Sequence, residues 1–141
     1  MTEDELDNIF SKIIFLIYRN KCIWKDTMCE VECGGHLETS HLIPRGDRYF
    51  RWDMNNAVVM CSNHHKFWHG TYSSQFSQSD ASELLNETHP ELIDFMITNK
   101  NRMHQYKPDL DAIKTFLLDN KNEAIEKGKA PFPSYYGKFD D

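Results

Sequence analysis

The chain has 141 residues, of which 40% are hydrophobic and 27% are charged, a composition that fits one globular domain over residues 1–141. Its longest apolar run, residues 13–18, is far shorter than the roughly 20 residues of a membrane helix, and the acidic residues before it do not resemble a signal peptide. We therefore expect a cytoplasmic protein with no membrane contact. The net charge of −6 excludes a uniformly basic surface for nucleic acids.

The N-terminal third predicts a helix, a loop and a strand. Thr2 and Glu5 have the spacing of a capping box, and apolar residues then recur at helical spacing, which predicts an amphipathic helix over residues 3–20. The residues that follow predict an irregular loop that carries metal ligands. Residues 36–43 include an alternating stretch and end before Pro44, a pattern typical of a short strand that is closed by a turn.

The rest of the chain predicts one more strand and four more helices. Residues 57–60 are apolar and predict the second strand, and a short helix that carries HHKFWH ends near Gly70. Prolines and capping residues indicate three further helices, which begin near Ser79, Pro90 and Pro108, the last of them ending near Gly128. The tail, residues 131–141, has no period and predicts either mobility or docking through its aromatic side chains.

Three cysteines and a histidine have the spacing of zinc ligands. Cys29 and Cys33 form one close pair, Cys61 and His64 form another, and two such pairs joined by a loop are typical of a tetrahedral zinc site. We therefore predict a structural Zn²⁺ bound by these four residues. The alternative is that Cys61 is a small buried residue and the other thiols are incidental. Cys22 is assigned to the core or kept as an alternative ligand.

Five of the seven histidines lie between residues 36 and 69. On the predicted helix, His65 and His69 are four residues apart, so both imidazoles face one side and can share a cation, whereas His64 points about 100° away. Taken alone, His69 is better explained as a cation that the helix dipole favours at a C-terminus. The presence of His41 in the same stretch favours the metal interpretation.

The order of these motifs resembles that of a nuclease superfamily. A cysteine pair, then LETSHLIP, then NNAVVMC followed by HH, is similar to the ββα-metal motif of HNH endonucleases, and the setting looks most like the phage NinG/Rap recombination-protein group. The resemblance covers about residues 29–72. It implies an α+β fold with a zinc-braced ββα-metal core, preceded by a helix and lead-in (1–28) and followed by a helical extension (73–141). It also implies a phage-like protein that acts inside a host cell.

The same resemblance implies an HNH endonuclease, a metal-dependent hydrolase that cuts DNA phosphodiester bonds by nicking or by double-strand cleavage. His41 would be the general base that takes a proton from the attacking water, and Asn56 would fix the orientation of His41. His65, with His69, would hold a divalent cation, Mg²⁺ or Mn²⁺, that stabilises charge on the phosphate and on the leaving oxygen. The expected ends are a 5′-phosphate and a 3′-hydroxyl.

One position departs from the superfamily pattern. Ser40 precedes His41 where the superfamily usually has Asp or His, and a hydroxyl is a poor ligand for the catalytic cation. Because alternate residues of a strand share a face, Glu38 points the same way as Ser40 from roughly 6.6 Å away. We therefore predict Glu38 as a further ligand of the catalytic cation, directly or through a water. The alternatives are a site with fewer protein ligands and an inactive domain.

Four basic residues surround the histidines and are predicted to contact DNA phosphates: Arg45, Arg48, Arg51 and Lys66. For any one arginine, a solvated surface loop is an equally good explanation. Phosphate contacts of this kind predict strongly salt-dependent DNA binding, and cleavage of both strands would be easier for a homodimer. Two other functions stay open: a non-catalytic zinc-binding module that recognises DNA or a protein, and an RNA-directed HNH nuclease.

Overall fold

The computed structural model describes residues 1–45, 48–101 and 107–136. Over these ranges the chain is an α+β protein with five α-helices and one antiparallel sheet of two strands, and none of these helices is long and apolar enough to cross a membrane. The elements in chain order are α1 (Glu3–Ile17), β1 (Leu37–His41), a short 3-10 turn (Met54–Asn56), β2 (Ala57–Cys61), α2 (Ser62–Trp68), α3 (Gln78–Thr88), α4 (Pro90–Asn99) and α5 (Leu110–Lys127).

Helix α1 begins as the sequence predicts. The Thr2 hydroxyl accepts a hydrogen bond from the Glu5 N–H at 3.1 Å, and the Glu5 carboxylate accepts one from the Thr2 N–H at 2.9 Å, so the capping box is formed. The helix ends at Ile17, earlier than predicted, because Arg19 and Asn20 adopt left-handed φ angles of 57° and 56°. This turn sends the following loop back toward the sheet.

The two strands pair so that His41 lies opposite Ala57, at the end of the sheet that leads into the next loop. The Thr39 hydroxyl is 2.6 Å from the hydroxyl of Ser11 on α1. Odd-numbered side chains of β1, His41 included, therefore face α1. Even-numbered side chains point to the other face of the sheet, where Glu38 reaches α2.

Helix α2 follows β2 without a loop. Cys61 is the last residue of β2 and also caps α2, since its Sγ accepts the His64 N–H at 3.4 Å. The helix ends at Trp68, and Gly70 then adopts a φ of 73° that favours glycine. This confirms the predicted terminator, and it leaves α2 packed against both strands.

One buried cluster joins all five helices to β2. Its members include Leu6 of α1, Val58 of β2, Phe67 of α2, Leu85 of α3, Leu92 of α4 and Leu117 of α5. Trp52 and Trp68 belong to the same cluster and are buried. These aromatic side chains therefore serve the core, in which α1 packs against both strands and against α5, and α2 packs against α3.

The C-terminal part matches the predicted helices with shifted ends. Helix α3 is capped by Ser77, two residues before the predicted start, and α5 is capped by Asp109 at its start and by Gly128 after Lys127. The Asn55 side chain donates to the Phe132 carbonyl at 2.9 Å and accepts from the Phe132 N–H at 2.7 Å. The tail is therefore docked as far as it is described, and residues 137–141 lie outside the described residues.

Candidate metal centre and active site

Four soft or borderline donors converge between the loop after α1 and the start of α2. Cys22, Cys33, Cys61 and His64 place their ligand atoms within 4.8 Å of one another. The three Sγ atoms lie 3.4, 3.4 and 3.2 Å from Nδ1 of His64. Zinc bonds of about 2.3 Å to sulfur and about 2.0 Å to nitrogen require a tetrahedral sulfur–nitrogen separation of roughly 3.5 Å. The donor set therefore fits a tetrahedral zinc ion.

His64 is oriented by a backbone carbonyl. Its Nε2 lies 2.7 Å from the Val31 carbonyl oxygen, which can only accept a hydrogen bond. Nε2 therefore carries the proton, and Nδ1 keeps the lone pair that faces the three thiols. Histidines that bind metals usually have such a partner on the other ring nitrogen, because it fixes both the tautomer and the ring orientation.

The thiols of this cluster differ in how readily they ionise. Burial, together with the neighbouring thiols of Cys22 and Cys61, raises the pKa of Cys33 to about 12. Burial acts in the same direction on Cys61, but N–H donors from His64 and Gly34 outweigh it and lower the Cys61 pKa. A metal binds the thiolate form, so zinc uptake here would release protons and contribute to folding.

Two glycines bring the Cys33 loop close to α2. A Cβ at Gly34 would lie 2.4 Å from the side-chain nitrogen of Asn63, and a Cβ at Gly35 would lie 2.5 Å from Cβ of Ser62. Gly35 also has a φ of 80°. The lack of a Cβ at these two positions allows the backbone to approach α2 closely. A side chain at Gly35 would collide with Ser62 at the start of α2 and would also be strained by the positive φ, so this position requires glycine.

The clustered donors differ from the predicted set of zinc ligands at one position. Cys29 lies outside the group and Cys22 takes the corresponding place. The Cys29 thiol donates to the Val31 carbonyl at 3.0 Å, and its Sγ is 3.4 Å from Nε2 of His64, the ring nitrogen that faces away from the other thiols. Cys22 has no closely spaced partner in sequence, so the spacing of zinc motifs could not single it out.

A second group of candidate functional side chains lines a cavity of about 560 Å³. The cavity lies where α1, β1 and α2 meet, and it brings together His41 from the end of β1, His65 from α2 and His69, which follows the last residue of α2. Its lining is completed by Asp7, Ser11, Thr39, Pro44 and Arg45. The three histidines that the sequence singled out for catalysis thus open onto one cavity.

His41 is held as a neutral imidazole with a defined tautomer. Its Nε2 lies 2.8 Å from the Arg51 carbonyl oxygen, so Nε2 carries the proton and Nδ1 keeps a lone pair. The ring stacks on Phe10 with centroids 5.8 Å apart and planes 27° apart. Burial lowers the pKa of His41, although the hydrogen bond to Arg51 opposes this shift. At neutral pH the ring can therefore accept a proton.

Asn56 holds the loop that follows His41. Its side-chain amide donates to the carbonyls of Ile43 and Phe50, at 2.9 and 3.1 Å, and accepts from the Ile43 N–H at 2.7 Å. The Leu42 N–H donates to the Asn56 carbonyl at 2.9 Å. Asn56 is fully buried. It therefore acts on the backbone beside His41 and on the loop that leads to Arg51.

Glu38 occupies a different place from the one predicted. Its Oε1 lies 3.1 Å from Nδ1 of His65, while Nε2 of His65 lies 3.1 Å from Nε2 of His69. Two imidazole nitrogens bound side by side to one metal at about 2.1 Å are roughly 3.0–3.4 Å apart, so the histidine pair fits a shared cation. Glu38 contacts the far nitrogen of His65, so it orients this imidazole from the side opposite His69.

Ser40 is fully buried and its hydroxyl has no hydrogen-bond partner among the described residues. It follows Glu38 on the same face of β1, as strand geometry predicts. Burying a hydroxyl group without a hydrogen-bond partner reduces the free energy of unfolding, so Ser40 is an unusual residue at this position of the strand.

The three arginines that were predicted to contact DNA phosphates pair with carboxylates of α1. Arg51 is buried and donates to Asp7 at 3.0 and 2.5 Å and to Glu3 at 3.1 Å. Its head group therefore braces the loop against α1, which corrects its assignment as a phosphate contact. Arg48 pairs with Glu3, and Arg45 is 3.5 Å from Asp7. The predicted phosphate contacts that stay exposed are Arg45, Arg48 and Lys66.

Comparisons with protein-family models, with curated proteins and with solved structures gave no match.

Proposed function

We propose that the chain is a metal-dependent endonuclease of the HNH type that hydrolyses DNA phosphodiester bonds. The observation that carries this proposal is the cavity onto which His41, His65 and His69 open together. A general base and a pair of imidazole ligands are the protein groups that such a hydrolysis needs within reach of one phosphate. The proposed membership in the HNH superfamily rests on the resemblance of residues 29–72 to the ββα-metal motif.

In the proposed reaction, Nδ1 of His41 takes a proton from the attacking water. The Arg51 carbonyl holds the opposite nitrogen at 2.8 Å, which prevents the ring from presenting an N–H to that water. Asn56 keeps the loop between these two residues in place. The chain thereby fixes both the direction and the protonation state of its base before the substrate binds.

The divalent cation would be held by His65 and His69, with Glu38 behind His65. When bound, it would supply positive charge for the phosphate and for the leaving oxygen. Two imidazole donors suit a transition metal better than Mg²⁺, which takes oxygen ligands and keeps several waters. Of the two cations expected from the sequence, these donors favour Mn²⁺.

A non-catalytic zinc module is the second candidate, because two observations favour it. Arg51 is neutralised by Asp7 and Glu3, which reduces the positive charge offered to a nucleic acid beside the cavity. Ser40 also takes the place of a usual metal ligand. Such a module would keep the Cys/His metal centre and bind its partner without cleaving it.

A plasmid-nicking assay separates these functions. Supercoiled DNA is incubated with the wild-type chain or His41→Ala in Mn²⁺, Mg²⁺ or EDTA, and His89→Gln serves as a control at a histidine that does not line the cavity. We expect Mn²⁺-dependent nicking that falls by roughly 10²–10⁴-fold in His41→Ala, the contribution typical of a general base. Equal nicking by the wild-type chain and His41→Ala would refute the role of His41. An RNA substrate incubated in parallel tests the RNA-directed alternative.

A further inference from the structure

A separate cavity of about 380 Å³ opens onto one side of the Cys/His metal centre. Its lining includes Cys29, Cys33 and His64, and it also includes Met28, whose side chain is 99% exposed. The cavity therefore runs from solvent to two of the four residues of the centre. Cys29 lies on this path and is partly exposed, whereas Cys33 and His64 belong to the centre itself.

Five donors surround a centre that has four positions. Three thiols lie within 3.4 Å of Nδ1 of His64, and the fourth, Cys29, lies 3.4 Å from Nε2 on the other edge of the ring. A tetrahedral ion bound to Nδ1 therefore has its four ligands without Cys29. The Cys29 thiol donates a hydrogen bond to the Val31 carbonyl, and a thiol is a weak donor.

We propose that Cys29 is the entry and exit ligand of the metal centre for a thiophilic cation such as Zn²⁺. Cys29 and Cys33, which line the same cavity, would bind an arriving ion first. The bond to the Cys29 sulfur would then break as bonds to Nδ1 of His64 and to the sulfurs of Cys22 and Cys61 form, and departure would reverse these steps. Each thiol that binds the ion would release its proton to solvent, and Cys29 would take a proton back from solvent when its bond to the ion breaks, so no oxidant or reductant is needed.

The test measures metal transfer and does not involve DNA cleavage, so its outcome is independent of the proposed nuclease activity. The purified chain is loaded with Co²⁺ to record the absorption of its cobalt–thiolate bonds. A second portion of the purified chain is loaded with Zn²⁺, and the transfer of zinc from it to a coloured chelator is followed by stopped flow. Cys29→Ser and Cys29→Ala are compared with wild type, and Met28→Ser is the matched control at the cavity rim.

We expect both Cys29 variants to keep the wild-type Co²⁺ spectrum and to transfer zinc about tenfold more slowly, the effect of losing one weak metal contact in the transition state. Met28→Ser should transfer zinc at the wild-type rate. Transfer at the wild-type rate in the Cys29 variants would overturn the proposal. So would loss of thiolate absorption or of Co²⁺ uptake in them, because Cys29 would then be a resident ligand. A wild-type chain that takes up no Co²⁺ would overturn it together with the metal centre.

Discussion

Replacing Asn56 with alanine tests how the loop beside His41 is held. The substitution removes three hydrogen bonds, of 2.7, 2.9 and 3.1 Å, from a side chain that is 0% exposed. At about 1 kcal/mol for each buried hydrogen bond, we expect the free energy of unfolding to fall by about 3 kcal/mol. With a urea m-value of about 2 kcal/mol per M, the unfolding midpoint should fall by about 1.5 M.

The measurement is urea unfolding followed by tryptophan fluorescence at saturating zinc. Asn120→Ala is the matched control, because its side chain makes a single hydrogen bond, to the Phe116 carbonyl at 2.8 Å, in a partly buried position on α5. We expect the control to lose no more than about 1 kcal/mol. If Asn56→Ala lost no more than Asn120→Ala, the view that Asn56 holds the loop would be wrong. Without urea, where the variant is folded, Asn56→Ala should also nick DNA more slowly than the wild-type chain. The loop that Asn56 holds carries the Arg51 carbonyl, which orients His41.

Three further predictions concern the base, the metal centre and the arginine that contacts α1. Because burial lowers the pKa of His41 below its ordinary value of 6.5, nicking should rise with pH below 6.5 and level off near neutrality; an acidic limb centred above 6.5 would contradict this. In native mass spectrometry we expect the wild-type chain to carry one zinc ion and Cys22→Ser to carry none, and full retention of zinc in the variant would remove Cys22 from the centre. Arg51→Met should lower the free energy of unfolding by about 2 kcal/mol, which is less than the loss of a fully buried ion pair because the carboxylate partners of Arg51 are partly exposed. Arg48 is exposed, so Arg48→Met should change the free energy of unfolding by less than about 1 kcal/mol. Equal effects of the two arginine substitutions in thermal or urea unfolding would refute the structural role of Arg51.

Local sequence patterns predicted the structure correctly wherever the interacting atoms belong to residues that are close together in sequence. The capping box at Thr2 and the end of α2 before Gly70 both follow from short-range hydrogen bonds and backbone preferences. The face shared by His65 and His69 follows from the helical repeat alone. The pairing of Cys61 with His64 at the start of α2 was accessible for the same reason.

Long-range contacts decided the details of both candidate sites. Cys22 reaches the metal centre because the chain reverses after α1 and the Ile23 N–H then donates to the Val59 carbonyl of β2. The side chain of Arg51 binds the carboxylates of Asp7 and Glu3, which lie 44 and 48 positions away in sequence. Strand parity placed Glu38 on the correct face, but the rotation of the His65 ring decided which of its nitrogens Glu38 would contact.

Short-range patterns in the sequence were therefore enough to predict the helices and strands of the α+β class, the strand–strand–helix order and the candidate chemistry of the cysteines and histidines. The place of Cys22 among the clustered donors, in which Cys29 is absent, and the contacts of Arg51 with α1 became evident only in the folded chain. A helical or strand repeat specifies side-chain directions over a few residues only. Which distant groups meet is settled by how the loop after α1 and the loop after β1 pack against the rest of the chain.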